Sequence, residues 1–143
     1  AGIPSVAFSM GTTGDGWSSW KEWAESAEAL PTWERLAELA ASMVGLMQDV
    51  KAPGAVNVGL PDSADSTTER RVTTVARAGY DRLFSRIDTD LYLHTFGGLA
   101  ETDADMTGTD IEAAIAQVIS ITPIDGAGHG TASRPLAKAM LLE

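Results

Sequence analysis

Gly11 and Gly16 bracket a stretch with the G-x-x-x-x-G spacing of a phosphate-binding loop. Such a loop points backbone N–H groups at phosphate oxygens, and a following lysine meets the charge. Here Trp17 and Ser18 follow, so the lysine is missing and a Walker-type nucleotide site is excluded. Two readings stay open: an anion-binding nest of backbone amides ahead of a helix, and a plain flexible connection. Asp103 to Gly108 imitates the start of an EF-hand loop, but position twelve is Ala114 where a bidentate Glu is required; a solvated turn before a capped helix accounts for it better. The two histidines, His94 and His129, have no partner at metal-ligand spacing. Cysteine is absent, which removes thiolate nucleophiles, thiolate metal sites and disulfides, and no serine sits in a G-x-S-x-G elbow. Trp17, Trp20 and Trp23, spaced by three and followed by Trp33, form either a helix face packed on a core or partner, or an aromatic platform for a base or sugar. Taken alone, these residues make no complete catalytic site.

Charge narrows the partners. The net charge is −10 over 143 residues, which repels a nucleic-acid backbone and speaks against duplex binding. Arg70, Arg71, Arg77, Arg82 and Arg86 nevertheless share one short stretch. They read as a basic strand face balanced by solvated acidic loops, or as a local contact for an anion or another subunit. No apolar run reaches the roughly 18–20 residues needed to cross a bilayer, and the start lacks the basic residues of a signal peptide. The cysteine-free composition fits a reducing cytosol, and a cytoplasmic protein is expected.

The elements that would hold these residues follow from periodicity. Ile3–Met10 is apolar without helical period and predicts a buried strand, with Pro4 tolerated near its start. A core-type strand of a parallel sheet needs neighbours on both sides, which suggests that something upstream is missing. Ser19 and Glu22 form a capping box for a helix from Trp20 to about Leu30, interrupted by Pro31. Thr32 then caps a second helix to about Asp49, with Trp33, Leu36, Ala37, Ala40, Met43, Val44 and Met47 on one apolar stripe. Pro53-Gly54 turns the chain into a strand over Ala55–Leu60. Strand, helix and strand in this order predict a right-handed βαβ crossover with two parallel strands. After the polar loop Pro61–Thr68, Arg70–Arg77 and Leu91–Phe96 read as antiparallel or hairpin strands. Thr109 and Glu112 cap a helix over Asp110–Gln117, Val118–Thr122 is a strand closed by Pro123, and Asp125–Thr131 is glycine-rich and reads as mobile. Pro135–Leu142 predicts a final helical turn or two docking through Leu136, Met140 and Leu141.

Three segments in order resemble the SurE survival-protein family. Ile3-Pro-Ser-Val-Ala-Phe-Ser9 is similar to its IPSIAIS-like strand, and Val56-Asn-Val-Gly-Leu-Pro61 to its LNINVP-like strand. Gly108-Thr-Asp110, Ala113-Ala114 and Ile119-Ser-Ile-Thr-Pro-Ile124 resemble its C-terminal GTD, AV and VSITP run. Arg71-Val-Thr73 and Tyr80 stand where the family has an R-x-T strand and a following aromatic residue. There are departures. Gln117 and Val118 replace a usual glycine and aromatic, the Pro-x-Gly and Tyr-Trp of the middle hairpin are missing around Leu91-Tyr-Leu93, and Gly11–Thr32 looks like an insertion. The family's N-D-D-G, serine-loop and S-G-x-N segments, which hold a divalent cation, do not occur in this chain.

The resemblance implies an α/β fold: part of a Rossmann-like SurE core, with a βαβ unit and a C-terminal hairpin and strand extension. Residues 1–61 would belong to that core, with a Trp-rich insertion at 11–32, and residues 62–143 to an extension that often exchanges between protomers. It implies a phosphomonoesterase acting on nucleoside 5′/3′-monophosphates, using Mg or Mn held by a parent protein and by no residue of this chain, and working as a homodimer or homotetramer. Ligands of open α/β sheets collect beyond the carboxyl ends of strands. On that rule Ser9, Met10, Gly11 and Asn57 would line the substrate cleft. The competing reading is a non-catalytic oligomerisation or interaction module.

Overall fold

Apolar side chains that alternate along two extended segments and recur along one long helix dictate the main layer. The computed structural model describes residues 4–11, 17–48, 50, 54–77, 84–94, 105–125, 128–129 and 134–141. In chain order the elements are β1 (Pro4–Gly11), α1 (Trp17–Ala24), a 3-10 turn (Ala27–Ala29), α2 (Leu30–Met47), β2 (Gly54–Pro61), β3 (Arg70–Val72), β4 (Phe84–Asp88) and β5 (Leu91–His94). They are followed by α3 (Asp110–Ile115), β6 (Ile119–Asp125), β7 (Gly128–His129) and α4 (Arg134–Ala139). The chain divides into two units, one of Ala1–Val75 with Gly108–Glu143, the other of Ala76–Thr107. The expected Gly11–Gly16 loop beyond Gly11, the Asp103 side chain, Tyr80, Arg82 and the side chains of Trp17, Trp20, His94 and His129 lie outside the described residues.

In the first unit the strands run β1-β2-β6-β3, with β7 added to β6. β1 and β2 are parallel, in register from Pro4↔Gly54 to Gly11↔Pro61, and α2 lies between them in sequence, as the strand–helix–strand pattern requires. β6 is antiparallel to β2 (Val58↔Ile121) and parallel to β3 (Val72↔Ile121). The protein is therefore a mixed α/β structure. Val56, Val58, Leu60, Ile119 and Ile121 form a buried cluster with Leu36, Leu39, Met43 and Met47 of α2 and with Leu136, Ala137 and Met140 at and just after α4. Val6, Phe8 and Met10 pack partly against it.

The helices depart from expectation in instructive ways. α1 starts at Trp17, so Ser19 lies inside the helix and not ahead of its first turn, where the expected capping box would put it. Pro31 sits in the first turn of α2, where its missing N–H costs no helical bond, and Ala29, not Thr32, is the N-cap. The break between helices falls instead at Glu25 and Ser26. On α2, Leu39 is buried while Ala37 and Val44 face solvent. At about 100° per residue, Ala37 and Val44 sit roughly 80–100° round from Leu36, and Leu39 about 60° the other way, so the stripe is centred nearer Leu36 and Met43 than the spacing of apolar residues alone implies.

β3 is three residues long and parallel, where an eight-residue antiparallel or hairpin strand was expected. Pro123 explains its length. Ile119 donates its N–H to Glu69 O at 2.9 Å, and Ile121 O accepts from Thr73 N at 3.1 Å, so odd-numbered residues of β6 direct their backbone groups toward β3. Pro123 has the same parity and no N–H to offer, and the ladder ends there. Pro123 thus lies inside β6, opposite Val56, instead of closing it. Thr74 pairs with another segment: it donates to Gly108 O at 2.9 Å and accepts from Asp110 N at 3.0 Å.

α3 begins as its sequence predicts. Thr109 Oγ1 accepts from Glu112 N at 3.2 Å, and Glu112 Oε2 accepts from Gly108 N at 2.6 Å. The helix ends at Ile115, two residues early, and Gln117 follows in the left-handed region with φ 56°. A side chain there crowds the backbone, whereas glycine does not. Gln117→Gly is expected to raise unfolding free energy by about 0.5–1 kcal/mol, read from the midpoint of a urea titration; unchanged or lower stability would refute it.

In the second unit, β4 and β5 form an antiparallel hairpin with an irregularity between Arg86 and Asp88. β5 matches the start of the expected strand, whereas its partner β4 was not anticipated. No helix among the described residues is long and apolar enough to cross a membrane.

Candidate functional site

The carboxyl ends of the two parallel strands lie side by side, with Ser9, Met10 and Gly11 opposite Gly59, Leu60 and Pro61. The turn after β2 ties them together: Asp62 donates its N–H to Gly11 O at 3.1 Å. Arg35, projecting from α2, donates to Ala64 O at 3.0 Å and to Asp62 O at 2.5 Å, and so holds this turn against the helix. Charge-assisted bonds of this type to carbonyl oxygens are among the stronger ones a protein makes. Arg35 was not singled out in the sequence, because its partners are backbone atoms of a loop 27 and 29 residues away.

The four anticipated residues fare differently. Ser9 is exposed, and its Oγ makes a long 3.5 Å bond to Val58 O, leaving the hydroxyl largely available. Gly11 is exposed at the strand end, with nothing within 4 Å of where a Cβ would be. Met10, half-buried, packs partly against the buried cluster and so supports the strand end. Asn57 lies half-buried in mid-strand between Ala7 and Thr122, on the same side of the sheet as Ser9 but nearer its centre. The structure thus gathers Ser9, Met10 and Gly11 at one end and sets Asn57 apart from them.

The side of the sheet that carries Ser9 and Asn57 is polar. Thr73 and Thr122, both buried, share a hydroxyl hydrogen bond of 2.8 Å. In the next row Ser9, Gly59, Ser120 and Arg71 stand in register across β1, β2, β6 and β3. Gly59 is required there: a Cβ at this position would lie 2.6 Å from Ser120 Oγ. A glycine inside a strand is a signal of close approach, yet the partner becomes visible only once the antiparallel register is known. Arg71, at the end of the row, binds Glu69 Oε1 at 2.8 Å, and that pairing raises the arginine's pKa above its ordinary value. Arg70 reaches Met140 O at 3.3 Å, and Arg86 in the other unit donates to Asp88 O and Thr89 O. Arg70 and Arg71 in the first unit and Arg86 in the second thus each bind backbone carbonyls or a neighbouring carboxylate.

Two carboxyl groups are held below their usual range by short local bonds. Asp65 accepts from the Thr67 hydroxyl at 2.7 Å, from Thr67 N at 2.8 Å and from the Thr68 hydroxyl at 3.2 Å. Asp105 is lowered by Thr107, whose N–H lies 2.9 Å from its Oδ1. Their stabilising effect is present above the unfolded-state pKa and is lost as pH falls through the lowered value. Both are turn devices. Trp23 and Trp33, both half-buried, pack at a 6.1 Å centroid distance, and Trp33 Nε1 donates to Ala24 O at 3.1 Å, which joins α1 to α2.

Chemically, the strand ends offer the exposed Ser9 hydroxyl, held only by its long bond to Val58 O, and the exposed Gly11 backbone, whose carbonyl accepts from Asp62 N. That set can receive hydrogen bonds from, or donate them to, a polar ligand. Among the described residues no three of His, Asp or Glu come together where they could hold a metal ion. Comparison with models of known protein families finds no match, and comparison with curated proteins finds none.

Proposed function

We propose that this chain is the C-terminal half of a SurE-like, metal-dependent phosphomonoesterase that hydrolyses nucleoside 5′/3′-monophosphates in the cytoplasm. The observation that carries the reading is where the resembling segments lie. The IPSIAIS-like, LNINVP-like and VSITP-like runs occupy β1, β2 and β6, three successive strands of one sheet. Gln117 adds support, since it adopts a left-handed backbone at a position where the family usually has glycine.

The residues described here do not fit a divalent-cation seat. Ser9, Asn57 and Asp62 supply one hydroxyl, one amide and one carboxylate spread over two strands and a turn, whereas Mg or Mn in a hydrolase is held by converging carboxylate and amide oxygens. On this reading the cation ligands belong to residues of a longer parent, and the present chain contributes the β1–β2 strand ends, where the Ser9 hydroxyl and Gly11 backbone would contact substrate.

The test is an assay of phosphate release from nucleoside monophosphates with Mg²⁺ or Mn²⁺, on the parent protein and on this chain. Metal-dependent release by the parent alone is expected. A parent without it would overturn the reading, and so would full activity in this chain alone.

A second reading, a non-catalytic oligomerisation or interaction module, is favoured by one observation. Phe84, Ile87, Leu91, Tyr92 and Leu93 are each more than half exposed on the β4–β5 hairpin. A two-stranded hairpin with apolar side chains open on both faces is marginal unless something packs on it. Light scattering tests it. A mass at least twice the chain's 15.0 kDa is expected, falling to the monomer value for the Leu91→Asp/Leu93→Asp variant. A monomeric wild-type chain at all concentrations would remove this reading.

A further inference from the structure

We draw no further inference here: the strongest candidate, the exposed apolar hairpin β4–β5, already serves the second reading above, and nothing in the structure shows what covers it.

Discussion

Replacing Ile121 by alanine is expected to lower the unfolding free energy by about 2–5 kcal/mol, among the largest losses for any single truncation in this chain. Ile121 is fully buried at the centre of β6, opposite Val58 on one side and Val72 on the other, within the cluster formed with α2 and α4. Truncation removes three carbons from a site walled by two flanking strands and two helices, so the void collapses poorly and its lining loses dispersion contacts. A domain of this size has a total stability of about 5–15 kcal/mol, so the loss is a large share of it. Ile115 supplies the control. It is 77% exposed on the short helix α3, and Ile115→Ala is expected to change stability by less than about 0.5 kcal/mol. Chemical denaturation of both variants measures the contrast. Equal effects at the two positions would show that β6 is not the enclosed strand described above.

The second large effect is steric. Gly59→Ala places a methyl 2.6 Å from Ser120 Oγ, well inside contact distance. Ser120 is itself buried at 3% exposure, so its hydroxyl has little room to swing away. The expected cost is about 1–3 kcal/mol, the range for forcing an extra carbon into a filled interior. The partner substitution makes the test specific. In Gly59→Ala/Ser120→Ala the new methyl faces Ser120's Cβ position at 3.9 Å, an ordinary van der Waals distance. The double variant should recover most of the loss, giving a coupling energy of at least about 1 kcal/mol in a double-mutant cycle. Strictly additive effects would mean that the β2–β6 register, and with it the row from Ser9 to Arg71, is wrong.

Much of the layer structure could be read before any coordinates. β2 and β6 announce themselves as short apolar runs, α2 as a long 3.6-residue period, and the start of α3 as a threonine with a glutamate three residues on. β1 is a strand as expected but not the buried one, for none of its residues is buried and among the described strands it pairs only with β2. What escaped depends on contacts between distant segments. The shortness of β3 depends on a proline about fifty positions away that withholds a donor. β4 has the sequence Phe-Ser-Arg-Ile-Asp, too polar to stand out, and is a strand only because β5 returns beside it. The limits of α1 and α2 turned on whether Pro31 breaks a helix or begins one, and both are physically allowed. At the candidate site, the grouping of Ser9 with Gly11 followed from strand direction alone. The separation of Asn57, the packing of Met10 against the buried cluster and the grip of Arg35 required knowing which face of each strand meets the helices.

The bridge between Thr74 and Thr109 has a consequence for how the polypeptide can vary. It joins the two places where the chain leaves the larger unit and re-enters it, and both bridged residues belong to that unit, so the closing bonds need no residue of 76–107. The entropy of closing an excursion grows only slowly with its length, and the closing bonds lie outside the excursion. Shortening residues 76–107 or exchanging them for another insert is therefore expected to leave the β1-β2-β6-β3 pairings unchanged.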